Sequence, residues 1–306
     1  VDTRSLVAQV LLWGWRLVSG GGPAAPRVRS LVDTSPLRRL LERALAPDGG
    51  PIHGIDANLA AGRLHAVAVS TTSYHAGRSV TWVQGRQIET WERPDRVSLN
   101  TRLSVDHVMA SAALPLFFPA VRIEGSWYGD GAMGMTAPLA PAIHLGARKI
   151  ITISTSIRPL PAEVAVAEAL EYPPPLAIAG QLVNTAFLDA LDEDALRLEK
   201  TNALLRQLPP SRWGTLRPVD LFVARPSRHL GVVAAEYEAR LPGLFRHLTR
   251  GLGSREVSRP DLLSFLMFQP DYVRRLIDIG EADAEARREE IGAFLDGAPR
   301  GIAAGG

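Results

Sequence analysis

The chain has 306 residues, 46% of them hydrophobic and 22% charged, an ordinary globular composition that excludes intrinsic disorder and collagen-like repeats. It contains no cysteine, so disulfide frameworks, thiolate zinc sites, iron–sulfur clusters and a cysteine nucleophile are excluded together. The net charge of +2 is too small for the basic face of a nucleic-acid binder. The longest apolar run, 6–18, is broken by Gln9, Gly14 and Arg16 and is shorter than the roughly 20 residues of a membrane-crossing helix.

In chain order, Leu6, Val10, Trp13 and Leu17 fall at helical spacing, which predicts an amphipathic helix over 3–18, ended by Ser19-Gly20-Gly21-Gly22-Pro23. Asp33-Thr34-Ser35-Pro36 supplies capping residues and an early helical proline, and Leu37, Leu40, Leu41 and Leu45 form the next expected buried stripe. The alternating run 64–72 predicts a strand, with a hairpin partner over 79–83. A helix over 105–113 stops at Pro115. A short strand over 120–123 turns at Glu124-Gly125 and resumes at Trp127-Tyr128. Residues 138–145 read as a helix, and the apolar run 149–154 (KIITIS) reads as a central parallel strand buried on both faces. Beyond Pro173-Pro174-Pro175 the pattern becomes helical over 176–208, 232–248 and 261–294, with one strand at 219–223. The strands at 64–72, 120–123, 149–154 and 219–223 are expected in one sheet, and the Gly/Ala tail at 299–306 is expected to be disordered.

Which residues carry chemistry is settled partly by elimination. The seven histidines (His53, His65, His75, His107, His144, His229 and His247) never pair with one another or with Glu at metal-helix spacing, so no metal or other cofactor is expected. No Gly-x-Ser-x-Gly occurs anywhere, which disfavours a conventional Ser/His/Asp triad. The Gly20–Gly22 run follows a helix where a phosphate or oxyanion loop would follow a strand, and it reads as a linker. Ser111 falls inside a helix and Ser70 inside a strand, and neither sequence position suits a strained strand-to-helix elbow. Trp13, Trp15 and Arg16 suit either core packing or a lipid headgroup region, while Arg38, Arg39, Arg43, Arg287 and Arg288 read as solvated helix faces.

Asp130-Gly131-Ala132 differs from the other Asp-Gly pairs, at 48–49 and 296–297, in its context. It follows a helix of small residues, a Phe-Phe-Pro corner and a short strand pair, and it precedes an apolar helix. A carboxylate in such surroundings either serves as a hydrogen-bonded turn residue or is held with a raised pKa that makes it a base.

The stretch from Met109 to Pro141 resembles the patatin-like phospholipase family. The resemblance rests on Ala110-Ser111-Ala112-x-x-Pro115, the Phe118-Pro119 corner, Tyr128-Gly129-Asp130-Gly131-Ala132 and Thr136-x-Pro138-Leu139, all in the family's order and spacing. Residues 146–154, 31–37 and 66–72 look similar to bacterial members as well. The resemblance implies an α/β fold with a mostly parallel central sheet, helices on both faces and a helical C-terminal portion. It further implies a serine lipid acyl hydrolase working through a Ser-Asp dyad without histidine, on lipid esters at a membrane or micelle surface.

Carried over residue by residue, Asp130 is the expected proton acceptor, Gly131 lets the turn form and Ala132 keeps the approach narrow. Asp130 is expected at the rim of the sheet, facing open space and not capping a helix. The family's oxyanion loop and Gly-x-Ser-x-Gly elbow lie N-terminal to these motifs. Together with the start at Val1, this leads to the expectation that the chain is the C-terminal part of the domain, with the N-terminal strands and nucleophile missing and inactive by itself. The expected division is a partial catalytic domain over 1–160 and a helical portion over 161–298 packed on the same sheet. A cytoplasmic or peripheral-membrane bacterial protein is expected. Two other readings stay open: a non-catalytic membrane- or protein-binding relic of the same fold, and an unrelated small-molecule-binding α/β protein.

Overall fold

A computed structural model describes residues 30, 32–115, 117–157, 190–240, 264 and 267–297. The helix expected over 3–18, the glycine run at 20–22, parts of the expected C-terminal helices and the tail at 299–306 lie outside these residues. The chain divides into two compact units, Val1–Gly146 and Ala147–Gly306.

In the first unit α1 (Ser35–Leu45) and α2 (Ile55–Ala60) lead into β1 (Ala66–Ser73) and β2 (Ser79–Gly85). Proline at the start of α1 fits the helix because that N–H would have no intrahelical acceptor. The leucine stripe of α1 is less buried than its spacing suggests: Leu37 and Leu40 are exposed, and Leu41 packs part-buried on the core. After β2 come β3 (Glu92–Arg93), β4 (Arg96–Asn100), α3 (Val105–Ser111), β5 (Val121–Ile123), β6 (Ser126–Asp130), a 3₁₀ turn over Gly131–Gly134 and α4 (Ala140–His144). The β5–β6 hairpin turns on Glu124 and Gly125, both at positive φ, the backbone of a tight hairpin turn.

One six-stranded sheet results, in the order β3-β4-β2-β1-β6-β5. Every neighbouring pair in it is antiparallel except β2/β4. This corrects the expectation of a mostly parallel central sheet lacking its N-terminal strands: β1–β4 are all present, and β1 and β2 are its two central strands. The physical reason is local. Short turns at 74–78 and 124–125 return the chain directly, and a direct return makes antiparallel neighbours, whereas parallel pairing needs a long crossover. Strands β3 and β4 have no counterpart in the sequence reading, although Arg96-Val97-Ser98-Leu99-Asn100 alternates after the Pro94-Asp95 turn.

Ser104 and His107 close a reciprocal capping box at the start of α3. The helix packs on β1, β5 and β6, and its Val105, Met109 and Ala110 join Trp82, Val80, Val121, Ile123 and Tyr128 in one core. Trp82 is the largest fully buried side chain among the described residues. Its indole N–H donates to Thr71 Oγ1 at 2.9 Å, and its ring meets His107 and Tyr128 edge-on.

The second unit holds β7 (Lys149–Ile153), α5 (Ala190–Arg206), β8 (Asp220–Ala224), α6 (Leu230–Tyr237), α7 (Pro270–Ala286) and α8 (Arg288–Asp296). Strands β7 and β8 pair in parallel in their own two-stranded sheet, so the single sheet expected to hold 120–123 and 149–154 together is not formed. Nor is β7 buried on both faces: Ile150 is buried, but Ile153 is 83% exposed. Val233, Ala234, Met267, Tyr272 and Ile279 form this unit's core, and burial pushes the Tyr272 phenol up to about 12. No helix among the described residues is long and apolar enough to cross a membrane.

Candidate active site around Asp130

Asp130 is the last residue of β6, opposite Thr71 of β1 in the antiparallel register. Two hydrogen bonds to its main chain hold it. Its N–H donates to Ala113 O at 3.0 Å, just beyond α3, and its carbonyl accepts from Thr72 Oγ1 at 2.8 Å. The next residue, Gly131, is pressed against the backbone of Ser70. The strand end is therefore fixed from the helix side and from the sheet side at once.

The carboxylate accepts one hydrogen bond, from the Ala132 N–H at 2.8 Å, and so caps the 3₁₀ turn over Gly131–Gly134. This differs from the expected uncapped carboxylate facing open space. A single donor leaves most of its acceptor capacity unused. Burial raises the Asp130 pKa above the ordinary aspartate value, and the Ala132 N–H offsets part of that rise. The neighbouring Tyr74 phenol is raised too, first by burial and then by the Asp130 charge. A desolvated carboxylate with one donor holds a proton more strongly than a solvated one, as a general base requires.

Gly131 has a role that its sequence position does not disclose. Its φ is not in the left-handed region, so conformational freedom is not why glycine stands there. A Cβ at this position would lie 2.6 Å from the carbonyl carbon of Ser70, so only glycine allows the turn to lie against β1. Ala132 is part-buried beside it.

Among the described residues neither Ser70 nor Ser111 hydrogen-bonds the Asp130 carboxylate. Ser70 Oγ lies 3.3 Å from Thr81 Oγ1 on β2, and Ser111 closes α3. Among the described residues no side-chain hydroxyl donates to the Asp130 carboxylate. Nor does any group of three or more His, Asp or Glu among them suit a metal ion. His107, buried against Trp82, uses Nδ1 to accept from the Ser104 N–H, and burial lowers its pKa. It is thus a structural imidazole, packed in the core and engaged in the α3 cap.

Sequence reasoning missed Arg96. Its Nε and one terminal nitrogen are enclosed without a hydrogen-bond partner, and the Arg93 and Arg96 charges add to burial in lowering the pKa of His144, which stacks on Trp91. No pattern in R-V-S-L-N marks which of its residues will be enclosed.

Comparison with protein families gives a match to the patatin-like phospholipase family over residues 22–143. This corrects the expected placement. The matched segment is the N-terminal portion of this chain, and it ends within α4, just short of the boundary between the two units. It contains the six strands of the larger sheet, α3 and the Asp130-Gly131-Ala132 turn. Neither the curated proteins nor the solved structures searched include a match.

Proposed function

We propose that residues 22–143 form a patatin-like lipid acyl hydrolase module, acting on carboxylic esters of lipids, in which Asp130 is the proton acceptor of a Ser-Asp dyad. The observation that carries this reading is the coincidence, inside the matched segment, of the family's Asp-Gly-Ala element with a carboxylate whose pKa is raised by burial.

In the reaction, a serine hydroxyl attacks the ester carbonyl while its proton passes to an Asp130 oxygen. The proton then leaves with the alcohol as the acyl-serine forms. Water repeats the sequence with the same base and releases the carboxylic acid. The chain's own contribution is positional. The 2.8 Å Ala132 N–H bond fixes one carboxylate oxygen, and contact between Gly131 and the Ser70 backbone fixes the turn that carries it.

No Gly-x-Ser-x-Gly lies within the 306 residues, so that motif does not identify the nucleophile. That same absence favours the second reading, a non-catalytic binding relic of this fold. Hydrolysis of p-nitrophenyl decanoate separates the two when measured on the product of the whole reading frame. Asp130→Asn is expected to lower kcat by about 10²–10⁴-fold with the melting temperature nearly unchanged. An inactive wild-type product supports the relic, and an active one indifferent to Asp130→Asn removes the dyad assignment. Turnover by the 306 residues alone would show that another residue is the nucleophile.

A further inference from the structure

We infer that the second unit carries a binding site for a single-chain aliphatic carboxylate, in the cavity at the carboxyl ends of β7 and β8. The inference stands apart from the hydrolase reading, because the cavity lies wholly outside the segment that matches the family.

The cavity measures about 310 Å³ and opens where both parallel strands end, at Ser154-Thr155 and Arg225-Pro226. Crevices outside the carboxyl ends of parallel strands are where open α/β sheets bind ligands, since the chain leaves each strand there and the flanking loops diverge. Its lining is mainly apolar, from Phe222, Leu230, Leu276, Ile279 and Ile291. An apolar cavity of about 150 Å³ takes up benzene, so this one admits a chain on the order of ten carbons.

Charge selects the head group. Arg225 and Arg287 line the cavity against one carboxylate, Asp283, which accepts from the Ser227 N–H. Each guanidinium is held in place by a main-chain carbonyl: Arg225 donates to Ser156 O, and Arg287 donates to Val223 O while lying over the Phe222 ring. Their carboxylate partners, Asp192 and Glu290, are about half exposed, and a carboxylate entering the cavity would exchange with them for the guanidinium donors.

A second observation is Gly280. It lies within the 17-residue α7 and lines the cavity, where glycine weakens a helix relative to almost any other residue. A Cβ built there meets nothing within 4 Å, so the protein's own packing does not demand glycine. Gly280 is exposed, so it stands at the mouth of the cavity, where a ligand chain would enter.

The test is calorimetric titration of the full 306-residue chain with decanoate and with decanamide, its uncharged analogue. Saturable 1:1 binding of decanoate, at least tenfold tighter than decanamide, is expected. Arg225→Gln and Arg287→Gln should each weaken decanoate binding at least fivefold. Gly280→Leu, which places a side chain at the cavity mouth, should weaken binding at least fivefold without lowering Tm. Methyl chemical shifts of the unsubstituted protein give a measure free of folding effects, and decanoate should move Leu230, Leu276, Ile279 and Ile291. Absence of saturable binding, equal affinity for decanamide, shifts confined to other methyls, or wild-type affinity in a folded Gly280→Leu chain would each overturn the inference. Loss of activity at Asp130 does not bear on any of these readouts.

Discussion

The backbones of Gly131 and Ser70 touch so closely that a Cβ on Gly131 would fall 2.6 Å from the Ser70 carbonyl carbon. The obstacle is backbone inside a sheet and cannot rotate away. Gly131→Ala should therefore force β6 from β1 and cost about 1–3 kcal/mol, as overpacking does. A urea midpoint within error of wild type would disprove this. Ala132→Gly, which removes no such constraint, serves as the control.

Asp130→Asn keeps an oxygen for the Ala132 N–H but removes the charge that burial disfavours. With the folded pKa above 3.8, the folded state binds more protons than the unfolded state between the two values. The Asp130 contribution is thus most favourable below 3.8 and is lost as pH rises through the folded pKa. The Asn variant should show a flatter stability profile above pH 3.8 and be at least as stable as wild type at pH 7. Denaturant melts across pH 3.5–8 (roughly the range that spans these titrations) check both.

His107 has the opposite sign. Its imidazole is buried, so the folded state resists protonation and its pKa lies below 6.5. As pH falls from 6.5 towards that lowered value the unfolded chain takes up the proton first, and stability is lost over this window. His107→Asn retains an acceptor for the cap. It should lower stability at pH 7 through lost packing on Trp82, yet remove the decline between pH 6.5 and the folded pKa. A decline of unchanged slope in the variant would assign it to another group.

Arg96 encloses two guanidinium nitrogens that find no acceptor. Removing a poorly compensated cation in favour of an apolar chain of similar length should stabilise the protein, so Arg96→Met is expected to gain about 1 kcal/mol. A clear drop in Tm for Arg96→Met would mean that the guanidinium is compensated in solution.

Elements framed by their own turn chemistry were legible in the sequence by itself. Pro36 and the capping residues before it mark the start of α1. Period-two alternation marks β1 and β2, and Glu124-Gly125 marks the β5–β6 hairpin, because these signals act between residues only a few positions apart. The Asp130-Gly131-Ala132 turn was legible for the same reason. Strand partnership was not, since alternation in Arg96–Asn100 is equally compatible with parallel and antiparallel neighbours, and only the free edge of β2 places β4 there. The assignment of 149–153 and 220–224 to a separate sheet likewise depends on which edges meet. Burial of the Asp130 carboxylate, enclosure of Arg96 and the contact that requires glycine at 131 are made by residues tens of positions away, and packing in three dimensions decided them.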